Sequence, residues 1–227
     1  MNHDEELLRA KKIARMEADK LQKDNIGDKL EDKIGDKVED KIEGKIEGKI
    51  EETESIYDDV VHFNHRELTF SRRVIEELKV SMYMPNELER LDAATVGIMF
   101  PNGKTPLCVY SSLQPIMNIS FNRTSEQVQE SSISNYLNLN KRILECVGPN
   151  VKITRTYEKT VGDINFGILE FYSKALDGTL YNISVIWPTK EGLVMIAFNI
   201  ESNQVTKLKP LITQMLESFE RLKEGVK

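Results

Sequence analysis

The stretch from Ile164 to Ile200 constrains the fold more than any other part of the chain, because it contains three apolar runs separated by two turn signals. The turn signals are Asp177-Gly178 and Lys190-Glu191-Gly192. Apolar runs of this length around short glycine-containing turns are typical of strands that return antiparallel to each other. The sequence therefore predicts an antiparallel meander.

Alternation along this meander predicts which side chains lie together, because successive strand residues point to opposite faces of a sheet. One face would collect Tyr181, Ile183, Val185, Trp187, Val194, Ile196, Phe198 and Ile200. The other would carry Leu193, Met195 and Ala197 beside Asn182 and Ser184. We therefore expect one strongly apolar face and a second face that is partly covered.

Two amphipathic helices are predicted around the meander. The first would begin at Thr124-Ser-Glu-Gln127, which has the arrangement of a capping box, and would end at Gly148-Pro149. Its broad apolar face comprises Val128, Ile133, Tyr136, Leu137, Ile143, Leu144 and Val147. The second would run from about Val205 to Leu222, with Val205, Leu208, Ile212, Met215, Phe219 and Leu222 recurring at helical spacing. Pro210 would lie in its first turn or kink it.

The rest of the body contains shorter strand signals. Leu68–Ile75 and Leu78–Met84 predict a hairpin, and Glu87–Leu91 predicts a single helical turn. Further strands are predicted at Thr95–Phe100, Leu107–Ser111, Met117–Phe121 and Val151–Val161, separated by proline- and glycine-containing breaks. The body is thus expected to be an α+β domain, with an antiparallel sheet sandwiched by helices.

Charge divides the chain into an acidic arm and a nearly neutral body. Residues 1–55 hold 12 Lys/Arg and 17 Asp/Glu, whereas residues 56–227 hold 19 and 20. A nucleic-acid-binding body would be expected to have a basic excess. We therefore expect no nucleic-acid partner.

The arm itself contains two patterns. Residues 1–24 predict an amphipathic helix, and residues 25–55 form an acidic tetrapeptide-repeat spacer with Ile26, Leu30, Ile34, Val38, Ile42, Ile46 and Ile50. Because a step of four residues advances by about 40° around a helix, this apolar ridge would wind around the helix instead of staying on one face. The pattern favours a flexible spacer, partly helical or disordered; a right-handed supercoil with partner helices is the alternative. Residues 56–66 would link the arm to a domain at 67–227.

At this point the order of elements resembles the DcrB-related proteins, within the wider PsbP-like fold. The resemblance lies in the strand Pro106-Leu-Cys-Val-Tyr110, the turn near Gln114, the strand Asn118-Ile-Ser-Phe-Asn122 and the helix opening at Thr124, followed by the meander and the closing helix. It covers roughly Glu67 to Leu222 and leaves the arm unmatched. It implies a bacterial protein with a helix–sheet–helix sandwich, in a group whose members of known role mostly act in binding or assembly. Some are dimeric chaperones for type VI secretion effectors, and no functional residues carry over.

Motifs for catalysis or metal binding are weak in this sequence. No glycine-rich phosphate loop, nucleophile elbow or zinc-finger spacing is present. Cys108 lies in an apolar strand and Cys146 on a helix, where cysteines usually act as small apolar residues. Asp59, His62 and His65 would share a face on a helix and could hold a metal, but a polar linker is the favoured interpretation. We predict no catalytic residue, no metal and no cofactor.

A few residues allow two interpretations. Glu170 is either a buried acid with a shifted pKa or, as favoured, an edge or solvent-facing residue. Trp187-Pro188 is a core anchor or, as the less favoured interpretation, a binding hot spot. Met82, Met84, Met99 and Met117 would suit either an adaptable apolar groove or ordinary core filling.

These observations predict a non-enzymatic protein-binding or assembly module with a flexible acidic arm. The alternatives are a dimeric chaperone or adaptor for a secreted effector or another apolar client, and an enzyme with an unrecognised site, for which the surroundings of Glu170 are the candidate. A protein partner is expected, and a homodimer is the oligomer considered. The first twenty residues have no apolar leader, and no apolar run is long enough to span a membrane, so a cytoplasmic location is expected.

Overall fold

The computed structural model describes residues 54–101, 105–112, 116–147, 150–175 and 178–222. Its strands are β1 (Val61–Phe63), β2 (Arg66–Leu68), β3 (Phe70–Ile75), β4 (Val80–Pro85), β5 (Glu89–Arg90), β6 (Cys108–Ser111), β7 (Asn118–Thr124), β8 (Lys152–Val161), β9 (Ile164–Ala175), β10 (Gly178–Thr189), β11 (Gly192–Glu201) and β12 (Glu220–Arg221). Its α-helices are α1 (Ala93–Met99), α2 (Ile133–Val147) and α3 (Val205–Glu217).

The predicted meander forms the centre of a seven-stranded antiparallel sheet with the order β5-β6-β7-β11-β10-β9-β8. Strands β10 and β11 pair over their whole length, with Trp187 opposite Val194. Strand β8 pairs with β9 through a bulge, since Ile153 lies opposite Phe171 but Arg155 lies opposite Glu170. Thr154 is therefore an extra residue on the outermost strand of the sheet.

The first face of the sheet carries the main core, as the alternation predicts. The eight residues expected on this face of β10 and β11 are all buried. They belong to one apolar cluster with residues of α3, of the hairpin β1-β2 and of the small sheet β12-β4-β3. Phe166, Trp187 and Phe219 pack edge-on, with ring centroids 5.0–5.5 Å apart. Trp187 is 1% exposed, which confirms it as a core anchor.

The second face is partly covered by α2, again as predicted. Ile133 and Leu137 of the helix pack with Leu169, Ile186 and Leu193 of the sheet in a smaller apolar cluster. The structure thus has helices on both faces of one antiparallel sheet, which confirms the predicted α+β sandwich.

Gly167 allows α2 to lie unusually close to the sheet. A Cβ atom at this position would lie 2.6 Å from Cγ2 of Ile133 and 3.1 Å from Cδ1 of Leu137. Both distances are far below an ordinary contact between carbon atoms. The absence of a side chain at Gly167 therefore permits this close packing of α2 on β9.

The predicted strand at Thr95–Phe100 is wrong, because this segment belongs to helix α1. Asp92 is its N-cap, and the side chain accepts hydrogen bonds from the Thr95 amide and hydroxyl, both at 2.9 Å. An N-cap aspartate followed by Ala93-Ala94 is a helix-start signal that outweighs the β-branched residues behind it.

The predicted capping box at Thr124 is also wrong. Thr124 is the last residue of β7 and pairs with Leu193, and α2 begins only at Ile133, after a 3₁₀ turn at Glu130–Ser132. The Thr124 hydroxyl accepts a long hydrogen bond of 3.3 Å from the Glu126 amide. The Thr124 side chain therefore stabilises a turn that follows a strand. Because the backbone of Thr124 is paired with β11, this residue cannot also begin a helix.

Two further boundaries differ from the prediction. Glu87–Leu91 contributes the short strand β5, which pairs with Tyr110 and Ser111, and no helical turn. Helix α3 ends at Glu217, and Glu220–Arg221 pairs with β4 instead of extending the helix to Leu222. Pro210 lies inside α3, beyond its first turn.

Residues 56–66 do not form a separate linker. Ile56, Val61 and Phe63 are buried in the main core, because β1 and β2 form a hairpin against it. The predicted helix at 1–24 lies outside the described residues, as do the spacer at 25–55 (apart from its last two residues), the turn near Gln114 and the glycine–proline stop at 148–149. In the part of the chain that the structure describes, no helix is long and apolar enough to span a membrane.

Candidate functional site

A groove lies between α2 and the part of the second sheet face that α2 leaves uncovered. Its volume is about 260 Å³. Its apolar lining comes from α2 and from strands β9, β10 and β11, and comprises Leu137, Ile143, Leu144, Leu169, Phe171, Ile186, Met195 and Ala197. The groove exists because α2 packs mainly over β8 and β9, at one side of a sheet that is seven strands wide.

The helix presents apolar side chains to solvent beside this groove. Ile143, which lines the groove, is 48% exposed, and Leu139, one turn earlier, is 55% exposed. The sequence predicts Ile143 on the apolar face of the helix. The structure places that face over the sheet through Ile133 and Leu137, and leaves Ile143 at the rim.

A row of polar side chains crosses the sheet at the end of the groove. Ser111 donates a hydrogen bond to Oδ1 of Asn118 (2.5 Å), which lies opposite Asn199. Nδ2 of Asn199 donates to Oδ1 of Asn182 (2.7 Å), and Nδ2 of Asn182 donates to Oγ of Ser173 (2.8 Å). Among the described residues, no side chain or amide donates to Oδ1 of Asn199. This oxygen is therefore an available acceptor.

Asn199 also borders a second cleft, so that the groove continues along the end of the sheet. This cleft has a volume of about 470 Å³ and is lined by residues including Asn118, Leu180 and Glu201. Its polar side chains contrast with the apolar wall of the groove. Together, the two depressions can accept a chain that is apolar at one end and hydrogen-bonded at the other.

Glu170 occupies the opposite, core-facing side of the sheet, and the expectation that it faces solvent is wrong. Its side chain is 1% exposed. Oε2 accepts hydrogen bonds from Nζ of Lys209 (2.6 Å) and from the hydroxyl of Tyr181 (2.5 Å), and Oε1 accepts one from the hydroxyl of Tyr157 (3.1 Å). Strands β8, β9 and β10 and helix α3 each contribute one member of this cluster.

The cluster keeps Glu170 charged. Burial opposes the ionised carboxylate, but the hydrogen bonds and charge of Lys209, together with the hydroxyl of Tyr181, outweigh it and lower the pKa of Glu170. Burial and the Glu170 charge raise the pKa of Tyr157 to about 12. Burial opposes the charged form of Lys209, but its hydrogen bond to Glu170 leaves the pKa raised.

This arrangement does not suit Glu170 to acid–base chemistry. A general acid or base at neutral pH needs a pKa near the working pH, whereas the Glu170 pKa shifts away from it. Both carboxylate oxygens are already engaged by protein donors. The cluster therefore ties α3 to the sheet, and it makes Glu170 a poor candidate for a catalytic group.

The other residues singled out in the sequence lie apart from the groove. Asp59 precedes β1, His62 lies within it and His65 lies in the turn after it; all three are exposed, and no helix brings them to one face. Burial, followed by the Glu77 charge, raises the pKa of the Cys108 thiol to about 11, while Cys146 is exposed on α2. Within the described ranges, no group of three His, Cys, Asp or Glu residues is placed to hold a metal.

Among the four methionines considered, Met82, Met84 and Met117 are core residues and Met99 is exposed on α1. None of them lines the groove, which instead contains Met195. The groove could not be located from alternation alone, because its position depends on where α2 crosses the sheet. The one local pattern that points to an exposed apolar surface on α2 is the pair Leu139 and Ile143, which are four residues apart and therefore neighbours on the helix.

No protein-family model and no curated protein matches this chain. Several solved structures resemble it. Cyanobacterial PsbP (CyanoP) from Synechocystis sp. PCC 6803 is 11% identical with a TM-score of 0.49, and the match covers 67% of this chain and 92% of that chain. LpqN, involved in cell envelope biogenesis of Mycobacterium tuberculosis, is 11% identical with a TM-score of 0.44, covering 67% and 90%.

A third similar structure is the T6SS immunity protein TplEi from Pseudomonas aeruginosa, solved in complex with the "L" peptide. It is 9% identical with a TM-score of 0.39, and the match covers 51% of this chain and 47% of that chain. The DcrB-related assignment stays a prediction.

Proposed function

We propose that this protein is a non-enzymatic protein-binding module that takes an apolar anchor side chain of a partner protein into the groove beside α2. The observation that carries the proposal is the apolar groove itself, with the exposed side chain of Ile143 at its rim and Leu139 exposed one helical turn earlier. Exposed apolar side chains next to a concave apolar surface are typical of protein interaction sites.

The size of the groove favours a side chain over a small molecule. Small-molecule sites usually enclose about 300–1,000 Å³, and the groove, at about 260 Å³, is below that range. Binding energy at protein interfaces is concentrated in buried anchor side chains, surrounded by contacts that exclude water.

The polar row supports the choice of a peptide chain as the occupant. Beyond its anchor, a bound chain would present backbone N–H groups, and Oδ1 of Asn199 is an available acceptor for one of them. The cleft that continues past Asn199 leaves room for the chain to run on. The expected partner segment therefore has an apolar residue followed by a stretch whose backbone is free to hydrogen-bond.

The proposal is tested by placing a photo-crosslinking residue at Ile143 of the full-length protein in native lysate, and at Asn138 as the control. Asn138 is an exposed residue of the same helix and does not line the groove. We expect a specific protein adduct from position 143 whose crosslinked peptide is apolar, and none from position 138.

An Ile143→Glu variant provides the complementary measurement. A buried carboxylate has no partner in this groove, so the affinity for the crosslinked partner should fall by about tenfold or more. Asn138→Glu should leave it unchanged. Equal adducts at both positions, or an adduct only with a second copy of this chain, would contradict binding of a separate partner. The expected cytoplasmic location and homodimer stay predictions.

A further inference from the structure

A cluster of basic side chains covers the open edge of the core-facing side of the sheet. We define this basic surface as Lys152 and Arg155 of β8, Lys174 of β9 and Lys209 of α3. Lys152 lies opposite Tyr172, and Arg155 lies opposite Glu170, so both basic residues share the face of their partners. Lys174 follows Tyr172 by two residues and therefore lies on the same face.

Within the described part of the chain, only one of the four cations of this surface has a carboxylate partner. Lys209 is paired with Glu170. Among the described residues, no carboxylate forms an ion pair with Lys152, Arg155 or Lys174, and all three are exposed. Three such cations on one face contrast with a body that is nearly neutral as a whole. Their concentration at one edge produces a local positive field that would attract an anionic partner.

The cations are held apart by their own contacts. The Arg155 guanidinium lies 4.2 Å from the ring centroid of Tyr157, and Lys209 is held by Glu170. Because of the bulge, Lys152 and Arg155 lie opposite Tyr172 and Glu170, which are two residues apart on β9 and therefore separated by about 7 Å along the strand. Positive groups fixed at such intervals do not converge on one phosphate. They match several carboxylates spaced along a chain.

The aromatic residues of this region argue against a nucleic-acid partner. Single-stranded nucleic acids are usually bound by aromatic rings on which bases stack. Here the Arg155 guanidinium covers the ring of Tyr157, and Tyr172 and Tyr181 pack edge-on with centroids 4.9 Å apart. These rings are occupied by protein contacts.

We propose that the basic surface binds an acidic, extended segment of a partner protein. Alternate side chains of an extended segment lie on one side at intervals of about 7 Å. Alternating carboxylates would therefore meet successive cations of the surface. The surface lies on the opposite side of the sheet from the groove, so this proposal does not depend on what the groove binds.

The test is fluorescence anisotropy of the full-length protein with a short fluorescein-labelled peptide of alternating Glu and Ser, at low salt and at about 0.15 M. We expect saturable binding that weakens with salt. The variant Lys152→Glu/Lys174→Glu should weaken binding about tenfold at low salt, because it turns two attractive charges into repulsive ones. A second variant, Arg155→Gln, should weaken it about threefold.

The control variant Arg142→Glu/Lys190→Glu changes the net charge equally, but at exposed sites outside the basic surface. It should bind the peptide within about twofold of the wild-type affinity, and so should Ile143→Glu. An equal loss in the control would overturn the proposal, because overall charge would then explain binding. Tighter binding of single-stranded DNA than of the peptide, lost in the same variant, would overturn the choice of partner. Aggregation of the Lys152→Glu/Lys174→Glu variant with unchanged peptide affinity would show that the lysines only protect a sheet edge.

Discussion

Glu170 is a buried carboxylate whose cost of dehydration is offset by three donors from three different elements. Removing one partner of a buried ion pair leaves an uncompensated charge, which is usually far more costly than losing an exposed pair. We therefore expect Lys209→Met to lower the free energy of unfolding by about 3 kcal/mol. Urea denaturation measures this. Lys207→Met, which removes a lysine of the same helix that contacts Asn64 at 2.9 Å, should cost less than about 0.5 kcal/mol.

The lowered pKa of Glu170 also predicts how stability depends on pH. The unfolded chain binds a proton at the ordinary Glu value of about 4.5, whereas the folded protein binds it only at lower pH. The contribution of Glu170 is therefore fully present above pH 4.5 and is lost as the pH falls through the lower folded value. Denaturation midpoints between neutral and acid pH should fall less steeply in Glu170→Gln than in the wild type. A slope that is identical in both proteins would contradict the assignment.

Gly167 offers a test of how closely α2 packs on the sheet. A methyl group added here would meet Cγ2 of Ile133 first, and that atom is attached directly to its own β-carbon and has little freedom to move. Gly167→Ala should therefore destabilise the protein by about 1–3 kcal/mol through overpacking. The double variant Gly167→Ala/Ile133→Leu lacks the clashing methyl group and should recover part of this loss in thermal denaturation.

At the scale of elements, the sequence is most informative where local pattern and tertiary contacts agree. The strands of the meander lie where the turn signals place them, because each strand pairs with its neighbour along the chain. The predicted strand at Thr95 and the predicted helix start at Thr124 are both wrong because one local sequence pattern was considered without a second interaction that opposes it. Asp92 starts a helix in one case, and pairing of β7 with β11, a strand far along the chain, extends a strand in the other.

The predicted end of α3 is wrong for a similar reason. The apolar spacing continues through Phe219, but Ser218 stops the helix because it is held by the small sheet: its hydroxyl donates to the Met215 carbonyl (2.6 Å) and accepts from the Tyr83 amide (2.9 Å). Periodicity continues in the sequence although the helix does not. A residue that contacts a strand more than a hundred positions away cannot be found by local pattern.

Ser218 also gives a prediction for the junction between α3 and β4. Ser218→Ala would leave the Tyr83 amide without its partner in a buried setting, which should cost about 1–3 kcal/mol. Hydrogen exchange should show faster exchange of the Tyr83 amide than in the wild type. Ser131→Ala, at an exposed position before α2, should change neither quantity.

At the scale of the whole molecule, the two apolar clusters lie on opposite faces of the same strands. If one cluster unfolded, the strands that support the other cluster would lose their packing as well. We therefore expect the body to unfold in a single cooperative transition. The single tryptophan, Trp187, reports on the main core by fluorescence. Hydrogen exchange of the α2 amides, followed with increasing urea, reports on the smaller cluster, to which Ile133 and Leu137 belong. The two midpoints should coincide in urea, and separate transitions would show that the sheet does not unite the two cores.

The groove and the basic surface are properties of the assembled sheet, and this explains why the sequence did not reveal them. Lys152, Arg155, Lys174 and Lys209 come from three elements, and no segment of the chain is strongly basic by itself. The burial of Glu170 likewise depends on α3, which is contributed by the end of the chain. Neither the basic surface nor the burial of Glu170 can therefore be recognised from any single segment of the sequence.

The extra residue at Thr154 has a consequence for how relatives of this protein should be compared. In a regular strand, two residues three positions apart face opposite sides; because of the bulge, Lys152 and Arg155 face the same side of β8. A homologue that lacks this residue would hold the two cations two positions apart in a regular strand and would keep the shared surface, whereas one that keeps the spacing of three without a bulge would lose it. Whether a relative keeps this surface therefore depends on which face of the strand each cation occupies. It has to be judged from the strand pairing around the bulge, and not from residue identity in an alignment alone.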